Sequence, residues 1–97
     1  MNEAANNVKK AIISVLGLDR KGIIARVSNV LYVNDANILD ISQTVVSGYF
    51  SMTLVADIGS DECSFDALSD ELSALGAELK LQVRIQRSEI FEAMYRI

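Results

Sequence analysis

The sequence predicts one small α+β domain with the element order strand, helix, strand, strand, helix, strand. Apolar residues alternate with a period of two in four short segments, and they recur at helical spacing in two segments between them. The chain has 97 residues, of which 51% are hydrophobic and 23% are charged, a composition typical of a single globular domain. It contains no proline, so no proline-rich linker divides it.

The first βα unit follows a polar start. Residues 1–9 show no periodicity, and we expect a flexible leader there. Ala11–Leu16 is apolar and β-branched and predicts a strand, which a turn between two glycines, residues 17–22, connects to a helix. The helix begins at Ile23 and runs for about three turns, because residues 34–37 disfavour a helix interior.

The second and third strands are predicted as a hairpin. They cover Ile38–Val46 and Tyr49–Ile58, with the turn at Ser47-Gly48. In the second strand we expect Leu39, Ile41 and Val45 on one face, with polar residues on the other.

The last predicted elements are a helix, a strand and a tail. Ser64 is suited to be the N-cap of a helix that Gly76 ends, and Leu79–Gln86 alternates as a strand. Residues 88–97 predict a short C-terminal helix. Right-handed crossovers then place both long helices on one face of a four-stranded antiparallel sheet, which is a ferredoxin-like βαββαβ sandwich.

Composition excludes several functions. The chain has no His, which removes the common catalytic triads and His-based metal sites, and its one cysteine allows no internal disulfide. A net charge of −4 argues against nucleic-acid binding. There is no apolar run long enough for a membrane span and no signal peptide. We therefore expect a cytoplasmic protein without cofactor, metal or membrane contact.

The turn before the first helix has the chemistry of a ligand site. The free N–H groups of a helix N-terminus suit a carboxylate, and Gly22 allows a ligand to approach the backbone. Asp19 can accept hydrogen bonds from an ammonium group. Together these groups fit an α-amino acid. The alternative is that Asp19 simply caps the helix.

Three stretches carry a family resemblance: residues 15–25, Val30-Leu31 and Ala36-Asn37-Ile38. They resemble an ACT domain, which we assign to residues 10–87, with residues 88–97 as its tail. Residues 40–44, 48–50 and 90–95 further resemble a group of small standalone bacterial and archaeal ACT proteins. The first half is also similar to the ACT repeats of the glycine cleavage system repressor.

The resemblance implies a regulatory or sensor module without catalysis of its own. It implies a small effector, with an amino acid as the expected class, bound between two protomers, and a partner enzyme or regulator that reads the signal. The ligand-binding residues that it implies are Asp19, Lys21, Gly22, Ile23, Asn37 and Ile38. Serine-binding members have Asn and Pro where this chain has Asp19 and Lys21, which leaves the identity of the ligand open.

The sequence leaves two alternative functions open and also predicts an oligomeric state. One alternative is a protein-interaction adaptor with no small ligand, and the other is an acylphosphatase-like hydrolase using Arg20 and Asn37. We also expect a homodimer, because the first two strands carry apolar residues on both faces and the tail adds an apolar stripe.

Overall fold

A computed structural model describes residues 9–88 of the chain. Four strands form one antiparallel sheet in the order β2-β3-β1-β4, and two helices cover one face. The predicted βαββαβ sandwich is thereby confirmed. The elements are β1 (Lys10–Leu18), α1 (Ile23–Val33), β2 (Asn37–Val46), β3 (Tyr49–Asp57), α2 (Phe65–Leu79) and β4 (Gln82–Arg87).

The core lies between the helices and the two central strands. Alternate residues of β1 and β3 point towards the helices and are buried, and each helix contributes one apolar stripe. The buried members are Ala11, Ile13 and Val15 of β1, Phe50, Met52, Leu54 and Ala56 of β3, Ile23, Val27 and Leu31 of α1, and Leu68, Leu72, Leu75 and Leu79 of α2.

The β2–β3 hairpin closes as the sequence predicts. Ser47 and Gly48 have φ values of 53° and 82°. Two successive residues with positive φ give a turn whose twist matches that of the flanking strands. Strands β2 and β3 therefore pair from the turn onwards, beginning with Val46 opposite Tyr49.

The end of the second helix differs from the prediction. Gly76 does not end α2, which continues to Leu79 and is followed by Lys80 in a left-handed conformation at φ 58°. Gly76 is buried, and a Cβ there would lie 2.9 Å from the carbonyl oxygen of Leu81. The glycine serves close packing of α2 on β4 rather than termination, so β4 begins at Gln82 instead of Leu79.

The side chains of β2 also point to other faces of the sheet than the sequence predicts. Ile38 pairs with Ala56 and Asp40 with Val55, so Leu39 is an extra residue in a β-bulge. The bulge puts Ile38 on the same face as Ile41, although an unbroken alternation predicts opposite faces. A single inserted residue moves every side chain before it to the other face of the sheet. The alternation of apolar and polar residues in the sequence gives no sign of such an insertion.

The open face of the sheet is polar in its middle and apolar at one end. Exposed apolar side chains gather where β1 ends, because Leu18, Tyr49 and Val46 stand in register across three strands, with Leu16 nearby. Among the described residues, no helix is long and apolar enough to cross a membrane. The predicted leader, except for residue 9, and the predicted tail helix, except for its first residue, lie outside the described residues.

Candidate functional site

Helix α1 starts without a side-chain cap. Its N-cap is Gly22, at φ 88°, and its first turn contains no acidic residue. The first helical hydrogen bond is donated by the N–H of Arg26 to the carbonyl of Gly22, at 3.0 Å. The N–H groups of Ile23, Ile24 and Ala25 therefore have no partner within the helix. The alternative in which Asp19 caps α1 is not what the structure shows.

A cavity of about 410 Å³ lies beside this helix start. It is bounded by the β1–α1 turn on one side and by the last residues of β2 on the other. The backbone N–H of Asp19 donates to the carbonyl of Gly48 at 2.9 Å, and this hydrogen bond holds the β1–α1 turn against the β2–β3 hairpin. The lining residues are Asp19, Arg20, Gly22, Ile23, Ile24, Ala25, Gln43, Thr44, Val45 and Phe50.

The lining combines charged, polar and apolar groups in the manner of a small-molecule site. Asp19 supplies a carboxylate and Gln43 an amide, whereas Thr44 is opposite Ser51 and has its side chain on the open face of the sheet. Val45 and Phe50 provide apolar surface. A Cβ built on Gly22 would have no atom within 4 Å, so the backbone there is open to a ligand.

The structure brings together only part of the predicted residue set. Asp19, Gly22 and Ile23 line the cavity, whereas Lys21 is exposed and does not. Asn37 and Ile38 lie at the far end of β2, where Asn37 is paired with Asp57. Because β2 is an extended strand of ten residues, about 30 Å separates its two ends.

The same separation bears on the acylphosphatase alternative. Arg20 lines the α1 cavity, but Asn37 is at the other end of β2. An anion-binding Arg and a water-orienting Asn must act on one substrate, so this placement within one chain disfavours the hydrolase.

Sequence reasoning did not assign Arg20, Ile24 or Ala25 to the ligand site, and it also missed four lining residues further along the chain, Gln43, Thr44, Val45 and Phe50. The latter come from the hairpin rather than from the turn. The element order contains a usable signal, because β1 and β2 both flank β3 and both run antiparallel to it. Their carboxyl ends must therefore share one end of the sheet, next to the start of α1.

The single cysteine lies away from this cavity, in the loop before α2. Burial raises the pKa of the Cys63 thiol, and the carboxylates of Asp35 and Asp57 raise that pKa further. The neutral thiol is a poor nucleophile. In the part of the chain that the structure describes, no three His, Cys, Asp or Glu residues are grouped to hold a metal.

Comparison with known proteins places the chain in a family. The family model for the ACT domain matches residues 9–86. The chain belongs to the ACT-domain family. A UPF0237 protein of Methanocaldococcus jannaschii is 44% identical over 90 residues, which are 93% of this chain and 100% of the relative. The ACT family typically comprises regulatory modules for small ligands.

Solved structures of ACT proteins share the fold. An ACT domain protein from Streptococcus pneumoniae is 42% identical with a TM-score of 0.76, and the match covers 89% of this chain and 97% of that one. A glycine cleavage system transcriptional repressor is 22% identical with a TM-score of 0.74, covering 84% of this chain and 46% of that one. The predicted resemblances to standalone ACT proteins and to the repressor are thus confirmed.

Proposed function

We propose that this ACT domain is a regulatory module that binds a small α-amino acid in the α1 cavity and has no chemistry of its own. The observation that carries the proposal is the uncapped N-terminus of α1, which shares a 410 Å³ cavity with the Asp19 carboxylate. An α-amino acid carries the two groups that complement this pair.

The proposed pose follows from charge. The ligand carboxylate accepts from the free N–H groups of residues 23–25, where the helix dipole also favours a negative charge. Its ammonium group donates to Asp19, and Gln43 adds a polar partner. The ligand side chain then lies against Val45 and Phe50.

A second copy of the chain would complete the residue set. We infer that Asn37 reaches the cavity from a partner protomer, because about 20–26 Å of β2 separates it from Gln43 and Val45 in its own chain. Two β2 strands placed antiparallel around a two-fold axis near Ile41 bring Asn37 of one copy towards Asp19 of the other.

The edge of the sheet supports this arrangement. Strand β2 is at the edge, and within residues 9–88 no strand pairs with its outer side. Its exposed side chains include Leu39 (45%), Ile41 (40%) and Val45 (52%). A free edge with exposed apolar side chains is a template for pairing with another chain.

A thermal-shift screen of the full chain against the twenty amino acids tests the ligand. Binding at 100 times the dissociation constant stabilises the folded state by about 2.7 kcal/mol. Asp19→Ala is expected to abolish the ligand-induced shift. Because Asp19 does not cap α1, the variant should change the unliganded stability by less than about 0.5 kcal/mol.

Asp70→Ala is the matched control, since it removes one exposed carboxylate on α2. It should leave the ligand-induced shift unchanged. An undiminished shift in Asp19→Ala would locate the ligand elsewhere. No shift with any amino acid would favour the adaptor reading, in which only a partner protein is bound.

A further inference from the structure

A second cavity lies at the opposite end of β1 from the α1 cavity. Its volume is about 290 Å³, and it is formed where β1 begins and β3 and β4 end. Since β1 has nine residues, about 27 Å separates the two cavities. The lining residues are Lys9, Lys10, Ile58, Cys63, Phe65 and Arg87.

Three of these six residues are cationic, in a chain whose net charge is −4. Within residues 9–88, Lys9, Lys10 and Arg87 form no salt bridge, whereas Arg26 binds both carboxylate oxygens of Glu78 at 2.8 and 2.9 Å. The cavity therefore has cations without an ion-pair partner among the described residues, although the carboxylates of Asp35 and Asp57 also act on its Cys63.

Two carboxylates lie close to this cavity, those of Asp35 and Asp57, and both raise the pKa of its Cys63 thiol. Asp57 is opposite Lys10 in the β1–β3 ladder. Its Oδ1 atom accepts a hydrogen bond from the N–H of Gly59 at 2.9 Å, which holds it in the loop that follows β3. No described contact within 4.0 Å joins it to the lysine.

Arg87 is held in an orientation that suits anion binding. Its guanidinium carbon lies 4.4 Å from the centre of the Phe65 ring, as in a cation–π contact. Stacking occupies the face of the guanidinium and leaves its N–H groups, which lie in the plane, free to donate. A planar fork of this kind fits a carboxylate or phosphate through two parallel hydrogen bonds.

The rest of the lining is neutral. Ile58 and Phe65 give apolar surface, and Cys63 is the third uncharged residue of the lining. The adjacent N-terminus of α2 is already capped by the Ser64 hydroxyl, which accepts from the N–H of Ala67 at 3.2 Å. The side chains, and not the helix dipole, therefore define the site.

We propose that this basic cavity is a second binding site, for a small molecule that joins an oxyanion, carboxylate or phosphate, to an apolar body. The oxyanion binds Arg87 and Lys9, and the apolar body packs on Ile58 and Phe65. This site is independent of the amino-acid site proposed at α1.

Amide NMR titration of the full chain tests the proposal with three probes: inorganic phosphate, phenyl phosphate and benzoate, all at one ionic strength. We expect shifts at Lys10, Ile58 and Arg87 but none at Gly22. Phenyl phosphate should bind more tightly than inorganic phosphate. The comparison with benzoate tells whether the site prefers a phosphate or a carboxylate.

Two arginines on β4 provide a matched pair of variants. Arg87→Gln should raise the dissociation constant about tenfold, because it removes charge-assisted hydrogen bonds. Arg84→Gln removes the same charge from the open face of the same strand and does not touch the cavity. Its effect should stay within about twofold. Equal effects of the two variants would show nonspecific attraction and overturn the proposal.

The chain's own C-terminal residues are the competing occupant. Residues 89–97 follow directly after Ser88 and include Glu89 and Glu92. If the full chain shows no shifts but a chain ending at Ser88 binds the probes, the cavity is a docking place for that segment and the proposal is wrong. Failure of both chains to bind also overturns it.

Discussion

Gly22 is the residue on which the α1 cavity most depends. Its φ of 88° lies in the left-handed region, where a side chain is strained, and no atom is within 4 Å of its missing Cβ. The backbone conformation, and not crowding, is therefore what requires glycine at the start of the helix.

We predict that Gly22→Ala lowers the free energy of unfolding by about 1–2 kcal/mol and weakens amino-acid binding. Gly48→Ala is the control, because Gly48 has a similar φ of 82°, equally open space, and no place in the cavity lining. It should cost similar stability in urea unfolding but leave binding intact. Equal losses of binding would show that strain in the hairpin, and not contact at Gly22, controls the site.

Cys63 gives a residue-scale prediction about pH. Burial and the carboxylates of Asp35 and Asp57 raise its pKa in the folded state. The unfolded chain therefore releases the thiol proton first, and the stability that this proton contributes is present at lower pH and is lost as pH rises above about 8.5.

Iodoacetamide should consequently alkylate the native protein at pH 8 more slowly than the urea-unfolded protein. Urea titrations at pH 7 and pH 10 should show a larger loss of stability for the parent chain than for Cys63→Ser. Equal losses in the two proteins would contradict a raised thiol pKa.

At the scale of elements, the contact between α2 and β4 is limited by Gly76. A Cβ at this position would be 2.9 Å from the Leu81 carbonyl oxygen and 3.0 Å from the Val83 Cγ2 atom. The neighbouring oxygen belongs to the backbone and cannot rotate away. Close packing therefore outweighs the higher helix propensity of alanine, which is about 1 kcal/mol.

We predict that Gly76→Ala lowers the unfolding free energy by about 1–3 kcal/mol, as overpacking does. Ser73→Ala, at an exposed position of the same helix, should be neutral or slightly stabilising. Thermal or urea unfolding measures both changes. If Gly76→Ala were more stable than the parent chain, β4 would be able to shift away from the added Cβ at little cost, and the prediction would be wrong.

At the scale of the whole molecule, the feature that bears on oligomeric state is the exposed apolar surface of the sheet. The sheet offers two apolar surfaces: the β2 edge around Ile41, and the end of the open face around Leu18 and Tyr49. The proposed two-fold dimer uses the first, because antiparallel pairing along that edge brings Asn37 of a partner towards the α1 cavity.

We predict that Ile41→Asp shifts the dimer towards a folded monomer in sedimentation equilibrium, since it places a charge in the proposed β2–β2 contact. Ser51→Asp, on the open face of β3, should leave the dimer intact. A dimer disrupted only by Ser51→Asp would assign the interface to the open face. A parent chain that is monomeric at micromolar concentration would contradict both.

Hydrophobic periodicity in the sequence determined the number, order and type of the elements, and with them the fold. Local chemistry determined the hairpin at Ser47-Gly48, the Ser64 cap and the turn that forms one wall of the α1 cavity. These features depend on residues within one or two turns of each other, so the sequence shows them directly.

Tertiary structure alone decided what depends on distant residues. The bulge at Leu39 reflects pairing with β3, and the role of Gly76 depends on Leu81 packed against it. Gln43 and Phe50 reach the α1 cavity, and Lys9 and Arg87 share the basic cavity, only because the sheet brings separate strands to one end. Such contacts leave no local periodicity, since they arise from how strands pair and how side chains fill the space between layers.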